Sequence, residues 1–162
     1  MTTHDLDPLQ RLLAERACER LVLELVRRLD LGEPGTVCDL FTADGVWQWP
    51  DDERRIVGRD ALRAYFGSRP ADRLSRRMCS NILITLDSPD TATATTYFVT
   101  YRVDGHTEGT LVPTPLPANA GHYEDTFRRV DGEWLIASRT LFLAFGGPTR
   151  RLDPTDGSPA PR

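Results

Sequence analysis

Cysteine is scarce in this 162-residue chain: Cys18, Cys38 and Cys79 stand far apart and odd in number. No CxxC pair or Cys/His spacing points to zinc, and the sequence offers no disulfide framework; reduced thiols and a cytoplasmic location are expected. Long apolar runs are missing too. None approaches the roughly 20 residues of a membrane span, and Met1 to Asp7 lacks the basic and apolar regions of a signal peptide. There is no excess of positive charge: the net charge is -4, and the clusters Arg54-Arg55 and Arg76-Arg77 have acids close by. A dedicated nucleic-acid binder would show a basic stripe. Also absent are GxGxxG, a Walker loop, HExxH and a GxSxG elbow, which argues against hydride transfer, phosphotransfer and serine hydrolysis.

What is present is ordinary for a globular domain, 40% hydrophobic and 27% charged residues, enough to build a core without metal or disulfide staples. The segment Asp7 to Leu31 is the clearest helix. Pro8 follows Asp7 as N-cap, and apolar residues recur at Leu9, Leu12, Leu13, Ala17, Leu21, Val22, Leu25, Val26 and Leu29. A short second helix is expected from Pro34 to Phe41, a strand at Val46 to Trp49, and a third helix from Gly58 to Phe66. Four strands follow, Asn81 to Asp87, Thr91 to Val103, Gly121 to Val130 and Trp134 to Phe145, separated by turns such as Ser88-Pro89-Asp90 and Asp131-Gly132. Asp104 to Ala120 reads as irregular, and 146–162 as a flexible Pro/Gly-rich tail after a domain of residues 1–145. Helices first and an antiparallel meander afterwards predict an α+β fold: a cone-shaped, curved antiparallel sheet against three N-terminal helices, enclosing a pocket.

Two carboxylates stand out. Asp30 continues the helical row Val22, Val26, Asp30, which places it on the buried stripe. Burial there would raise its pKa into a range useful for proton transfer, unless it merely bonds backbone or an arginine. Asp125 shares the apolar face of its strand with Tyr123 and Phe127, pointing inward; the alternative is a structural ion pair with Arg77 or Arg139. His122 falls on the polar face by strict alternation, although a bulge at Gly121 would turn it inward. Trp47 and Trp49 share one side of the first strand, Tyr97 and Tyr101 one side of another, and Tyr65 sits on the third helix. Such rings make either plain core or the walls of a site for a hydrophobic ligand.

The order of elements, with the words Leu29-Asp30-Leu31-Gly32, Leu40-Phe41-Thr42-Ala43-Asp44-Gly45-Val46-Trp47, Gly58-Arg59-Asp60-Ala61-Leu62, Ser80-Asn81, Asp90-Thr91-Ala92-Thr93-Ala94, Gly121-His122-Tyr123-Glu124-Asp125 and Asp131-Gly132-Glu133-Trp134-Leu135-Ile136, resembles the SnoaL-like branch of the nuclear transport factor 2 superfamily. Scytalone dehydratase, ketosteroid isomerase and polyketide cyclases are relatives there, beside inert subunits. The resemblance implies an acid at Asp30 and another at Asp125; His122, from its place on the strand, is a third candidate catalytic group. It implies a cofactor-independent, metal-free cyclase, dehydratase or isomerase acting on a polyketide- or terpenoid-like molecule; a non-catalytic binding or subunit-type module is the alternative. It also implies a homodimer through the outer sheet face. Trp47, Trp49, Tyr65, Arg77, Asn81, Tyr97, Tyr101 and Tyr123 are the candidate substrate contacts. The sequence departs from the pattern at Arg77, which stands where scytalone dehydratase carries a histidine. A guanidinium cannot act as a base near neutral pH; it can stabilise an enolate or carboxylate, or pair with Asp30.

Overall fold

The computed structural model describes residues 6–154 and 158–159. Helix α1 spans Pro8–Leu31, and the Asp7 carboxylate caps it by accepting the Leu9 N–H at 3.2 Å. Its buried row is Cys18, Val22, Leu25 and Leu29. The expected stripe extends too far at its start: Leu9, Leu12 and Leu13 are exposed, and the buried row begins at Cys18. A 3₁₀ turn at Pro34–Leu40 takes the place of the second helix, and strand β1 (Phe41–Trp49) begins at once. Strand β2 (Arg54–Val57), too short and polar to be read from the sequence, pairs antiparallel with β1 before helix α2 (Arg59–Gly67).

The long strands follow: β3 (Leu74–Ser88), β4 (Thr91–Asp104), the short β5 (Thr110–Leu111), β6 (Asn119–Val130) and β7 (Glu133–Gly146). Strand β3 starts seven residues before the expected Asn81, which brings Ser75 and Arg77 into the sheet. Asp131 and Gly132 both have positive φ (51° and 86°), the backbone of a tight two-residue hairpin turn between β6 and β7. The order across the main sheet is β2-β1-β7-β6-β4-β3. It is mixed and not wholly antiparallel, as β1 runs parallel to β7. A connection through α2, β3, β4 and β6 separates these two strands, so no hairpin constrains their direction.

Part of the expected tail is ordered. Arg150–Arg151 form β8, parallel to Val103 and Asp104 of β4, where the pairing of β4 with β6 has run out. The Leu152 N–H donates to the Asp104 carbonyl at 2.9 Å, and Arg151 reaches Asp72 at 3.0 Å. Residues 158–159 form β9, paired with β5; 155–157 and 160–162 lie outside the described residues.

Side chains of the concave sheet face, among them Phe98, Tyr123, Phe127, Ile136 and Leu141, meet Val22, Leu25 and Leu29 of α1 and Leu62 and Phe66 of α2 in one core. Towards the α2 end of the cone this core gives way to a cavity. No helix among the described residues is long and apolar enough to cross a membrane.

Candidate functional site

The cavity has a volume of about 650 Å³, within the range of small-molecule sites. Four elements, β1, α2, β4 and β6, contribute its aromatic rings. Trp47 and Trp49 project from the same side of β1, and Tyr65 and Phe66 from α2; the Trp47 and Tyr65 ring centroids lie 5.0 Å apart. On the opposite side Tyr123 stacks on Phe98 at 4.3 Å with only 17° between the planes. The strand alternation read from the sequence thus delivers Trp47, Trp49 and Tyr123 to one hollow. Burial raises the pKa of the Tyr123 phenol, so it stays protonated and can donate.

Both carboxylates singled out in the sequence are buried, and each is engaged by an arginine. Asp30, at the last turn of α1, accepts from the Ser75 hydroxyl at 2.6 Å and the Arg77 N–H at 2.5 Å, and pairs with the Arg77 guanidinium. Its side chain is 4% exposed and that of Arg77 5%. Asp125 is wholly enclosed. Both its oxygens accept from Arg139, at 2.7 Å each, in a two-pronged pair directly across β6 and β7. Burial works against the Arg139 charge, but the attraction and hydrogen bonds of Asp125 outweigh it and hold its pKa above the ordinary value. The guanidinium also lies 4.2 Å above the Tyr123 ring.

The arrangement differs from the expectation of two carboxylates facing a ligand. Among the described residues, the cavity wall contains Arg77 and Arg139 but no Asp, Glu or His. The acids stand behind the arginines. This follows from the register: Arg139 sits opposite Asp125 on the concave face, and Arg77 enters β3 level with the end of α1, so each guanidinium intercepts the carboxylate before the cavity does.

Four expected contacts lie elsewhere. Tyr97 is 53% exposed, because the concave face of β4 is made of Ala92, Ala94, Thr96, Phe98 and Thr100, and the odd residues, Tyr97 and Tyr101 included, face outward. His122 also points outward, stacked on Phe142 at 5.0 Å with its ring nitrogen 3.6 Å from Glu124. The bulge at Gly121 exists, but it leaves the alternation of His122 intact. A side chain at Gly121 would come within 2.0 Å of the Phe142 carbonyl oxygen, so the bulge requires glycine. Asn81 is exposed at a bulge in β3, with φ of 50°, a left-handed conformation that asparagine tolerates. Its role there is backbone geometry.

Other residues reach the cavity without having been foreseen. Arg102 shares the concave parity of Phe98 and Thr100, so strand alternation alone could have found it. Arg69 and Arg73 follow α2 in a connection with no periodic signal. Arg54 donates to the Tyr65 hydroxyl at 3.0 Å. Gly146, Gly147 and Thr149, from the segment expected to be a free tail, line the cavity as well, and the Arg102 side chain donates to the Thr149 hydroxyl at 2.8 Å. Among the described residues no group of three or more His, Cys, Asp or Glu is placed to hold a metal ion.

A search of curated protein sequences finds no match. Among solved structures the chain is similar to a candidate scytalone dehydratase from Novosphingobium aromaticivorans, at 22% identity over 94% of this chain and 97% of that one, with a TM-score of 0.69. It is similar to ActVI-ORFA from Streptomyces coelicolor (20% identity, 82% and 97% covered, TM-score 0.66). It is also similar to hexachlorocyclohexane dehydrochlorinase LinA-type3 from Novosphingobium barchaimii (16% identity, 91% and 100% covered, TM-score 0.69). At such identities these likenesses establish the fold. The family model of the SnoaL-like domain matches residues 10–140, most of the chain, and the protein therefore belongs to the SnoaL-like domain family.

Proposed function

We propose that this protein is a cofactor-independent enzyme of small-molecule metabolism, a cyclase, dehydratase or isomerase acting on a ring-bearing, polyketide- or terpenoid-like substrate. The observation that carries this reading is the pairing of an aromatic slot with guanidinium groups fixed from behind by buried carboxylates. A flat substrate packed against Trp47, Trp49 and Tyr65 would present its oxygens to Arg77 and Arg139. There, negative charge developing beside a carbonyl is stabilised by donors that need no reorganisation. Asp30, which lies behind Arg77 and outside the cavity wall, fixes that guanidinium and is a positioning residue. Asp125, saturated by Arg139 and enclosed, is another. Pairing of two copies through the outer sheet face, where His122, Tyr97 and Phe142 lie, belongs to the same reading.

A second reading is a binding module without turnover, favoured by the lack of any carboxylate or imidazole among the described residues lining the cavity. One measurement separates the two. The exchange of α-protons of a bicyclic ketone such as 2-tetralone in heavy water is followed by NMR with the wild type and Asp30→Asn. An enzyme of this kind accelerates exchange, and the variant, in which Arg77 is no longer fixed, loses about 10²-fold or more of the acceleration. Exchange at the buffer rate with a ligand demonstrably bound would leave only the binding module.

A further inference from the structure

The charges of the cavity do not balance. Six arginines line it: Arg54, Arg69, Arg73, Arg77, Arg102 and Arg139. Four have carboxylate partners, namely Asp52 at 2.6 Å, Asp104 at 2.7 Å, Asp30, and Asp125 at 2.7 Å, respectively for Arg54, Arg73, Arg77 and Arg139. Arg69 makes no hydrogen bond or ion pair among the described residues, and Arg102 bonds only the neutral Thr149 hydroxyl. The chain as a whole is acidic, with a net charge of -4, so this local excess of positive charge is not a reflection of composition. A second feature points the same way. Arg139, 1% exposed, keeps its Nη1 without a hydrogen-bond partner among the described residues, and the Trp49 indole N–H is likewise buried and unpartnered. Unpaired buried donors are costly in an apo cavity, and their natural complement is an acceptor carried by a ligand.

We infer that the molecule bound in this cavity is an organic anion, an aromatic or polycyclic body bearing a carboxylate or phosphate-ester oxyanion that is held by Arg69 and Arg102. The inference deepens the function proposed above and rests on the same cavity being the ligand site. It divides that cavity into an apolar wall of Trp47, Trp49 and Tyr65 and a cationic end between α2 and β4. The electrostatic cost of crowding agrees: burial, then the nearby Arg77, Arg73 and Arg102, depress the Arg69 pKa to about 9, a penalty that a bound anion would relieve.

The test compares shape-matched probes on the full-length protein. Binding of 2-naphthoate, 2-naphthyl phosphate and the neutral 2-naphthamide is followed through the fluorescence of the tryptophans, two of which line the cavity, and by calorimetry. At least one anion is expected to bind about tenfold or more tighter than the amide, as charge-assisted bonds to two arginines would give. Which anion wins tells carboxylate from phosphate. Arg69→Gln, which removes no ion pair, is expected to abolish most of that preference, weakening the anions far more than the amide. Equal affinity for anions and amide would overturn the anion assignment and leave the cavity as a ligand site. If none of the three bound, the anion site and the proposed function would both fall. A preference that survived both Arg69→Gln and Arg102→Gln would also refute the assignment.

Discussion

Asp125→Asn removes one charge from the most deeply buried ion pair and leaves Arg139 without a counter-ion. The side chains of this pair are 0% and 1% exposed, and both carboxylate oxygens accept at 2.7 Å. Breaking a pair in such surroundings costs about 3–5 kcal/mol, since the remaining charge stays desolvated. One feature moderates the cost: the Tyr123 ring lies 4.2 Å from the guanidinium and attracts it. The expected loss is therefore near the low end, about 3 kcal/mol, or roughly 6–12 °C in melting temperature for a domain of this size. Urea denaturation of the wild type and variant, read by tryptophan fluorescence, measures it. The double variant Asp125→Leu with Arg139→Met removes both charges at similar volume and should recover most of the lost stability. A single variant within about 1 kcal/mol of the wild type, with the double variant no better, would show that the pair is not desolvated as described.

The other predictions test the bulge and the unpaired charge. Gly121→Ala drives a Cβ against the Phe142 carbonyl. It should cost roughly 1–3 kcal/mol in the same denaturation assay, in line with overpacked sites. Arg69→Gln should raise the melting temperature by removing a cation that lies near Arg77, Arg73 and Arg102, with the Asp30 charge only a partial counterweight. Its folded pKa, about 9, lies below the ordinary value of 12.5, so the native state pays for the charge at every pH below about 9 and progressively less above it. The stabilisation gained by the variant should be constant between pH 6 and pH 8 and shrink as pH rises past about 9.

Patterns with a fixed period carried most of the architecture. The row Val22, Val26, Asp30 on α1 and the alternation of Tyr123, Asp125 and Phe127 on β6 put both acids inside, where they are found. The parallel pairing of β1 with β7 was not legible, since direction in a sheet depends on connections that cross it and not on either strand's residues. Periodicity also misled at Tyr97 and Tyr101. It showed correctly that the two share a face, but composition suggested the wrong one, because the concave face of β4 is built from threonine, alanine and a single Phe98. Of that face only Phe98, Thr100 and Arg102 line the cavity. Arg69 had no signal at all, as it acts from a connection whose course is set by the elements on either side.

The larger misreading concerned charge, and its cause is general. Sequence alternation says which residues share an interior, but not which of them stand in front. Two inward acids suggested a carboxylate-lined hollow, yet neighbouring strands bring an inward arginine to each: Arg139 of β7 directly opposite Asp125, and Arg77 of β3 beside Asp30. An arginine side chain is longer than that of aspartate, so its head group takes the cavity wall and the acid becomes its anchor. That order of layers decides the chemistry. A wall of carboxylates would repel an enolate and favour cations, whereas guanidiniums held rigid by buried anions attract oxyanions and stabilise them as they form. The arginine at position 77, which looked from the sequence like the loss of a catalytic base, is thus consistent with the other five cavity arginines. All six suit a site that receives negative charge, either developing on the substrate or carried in by it.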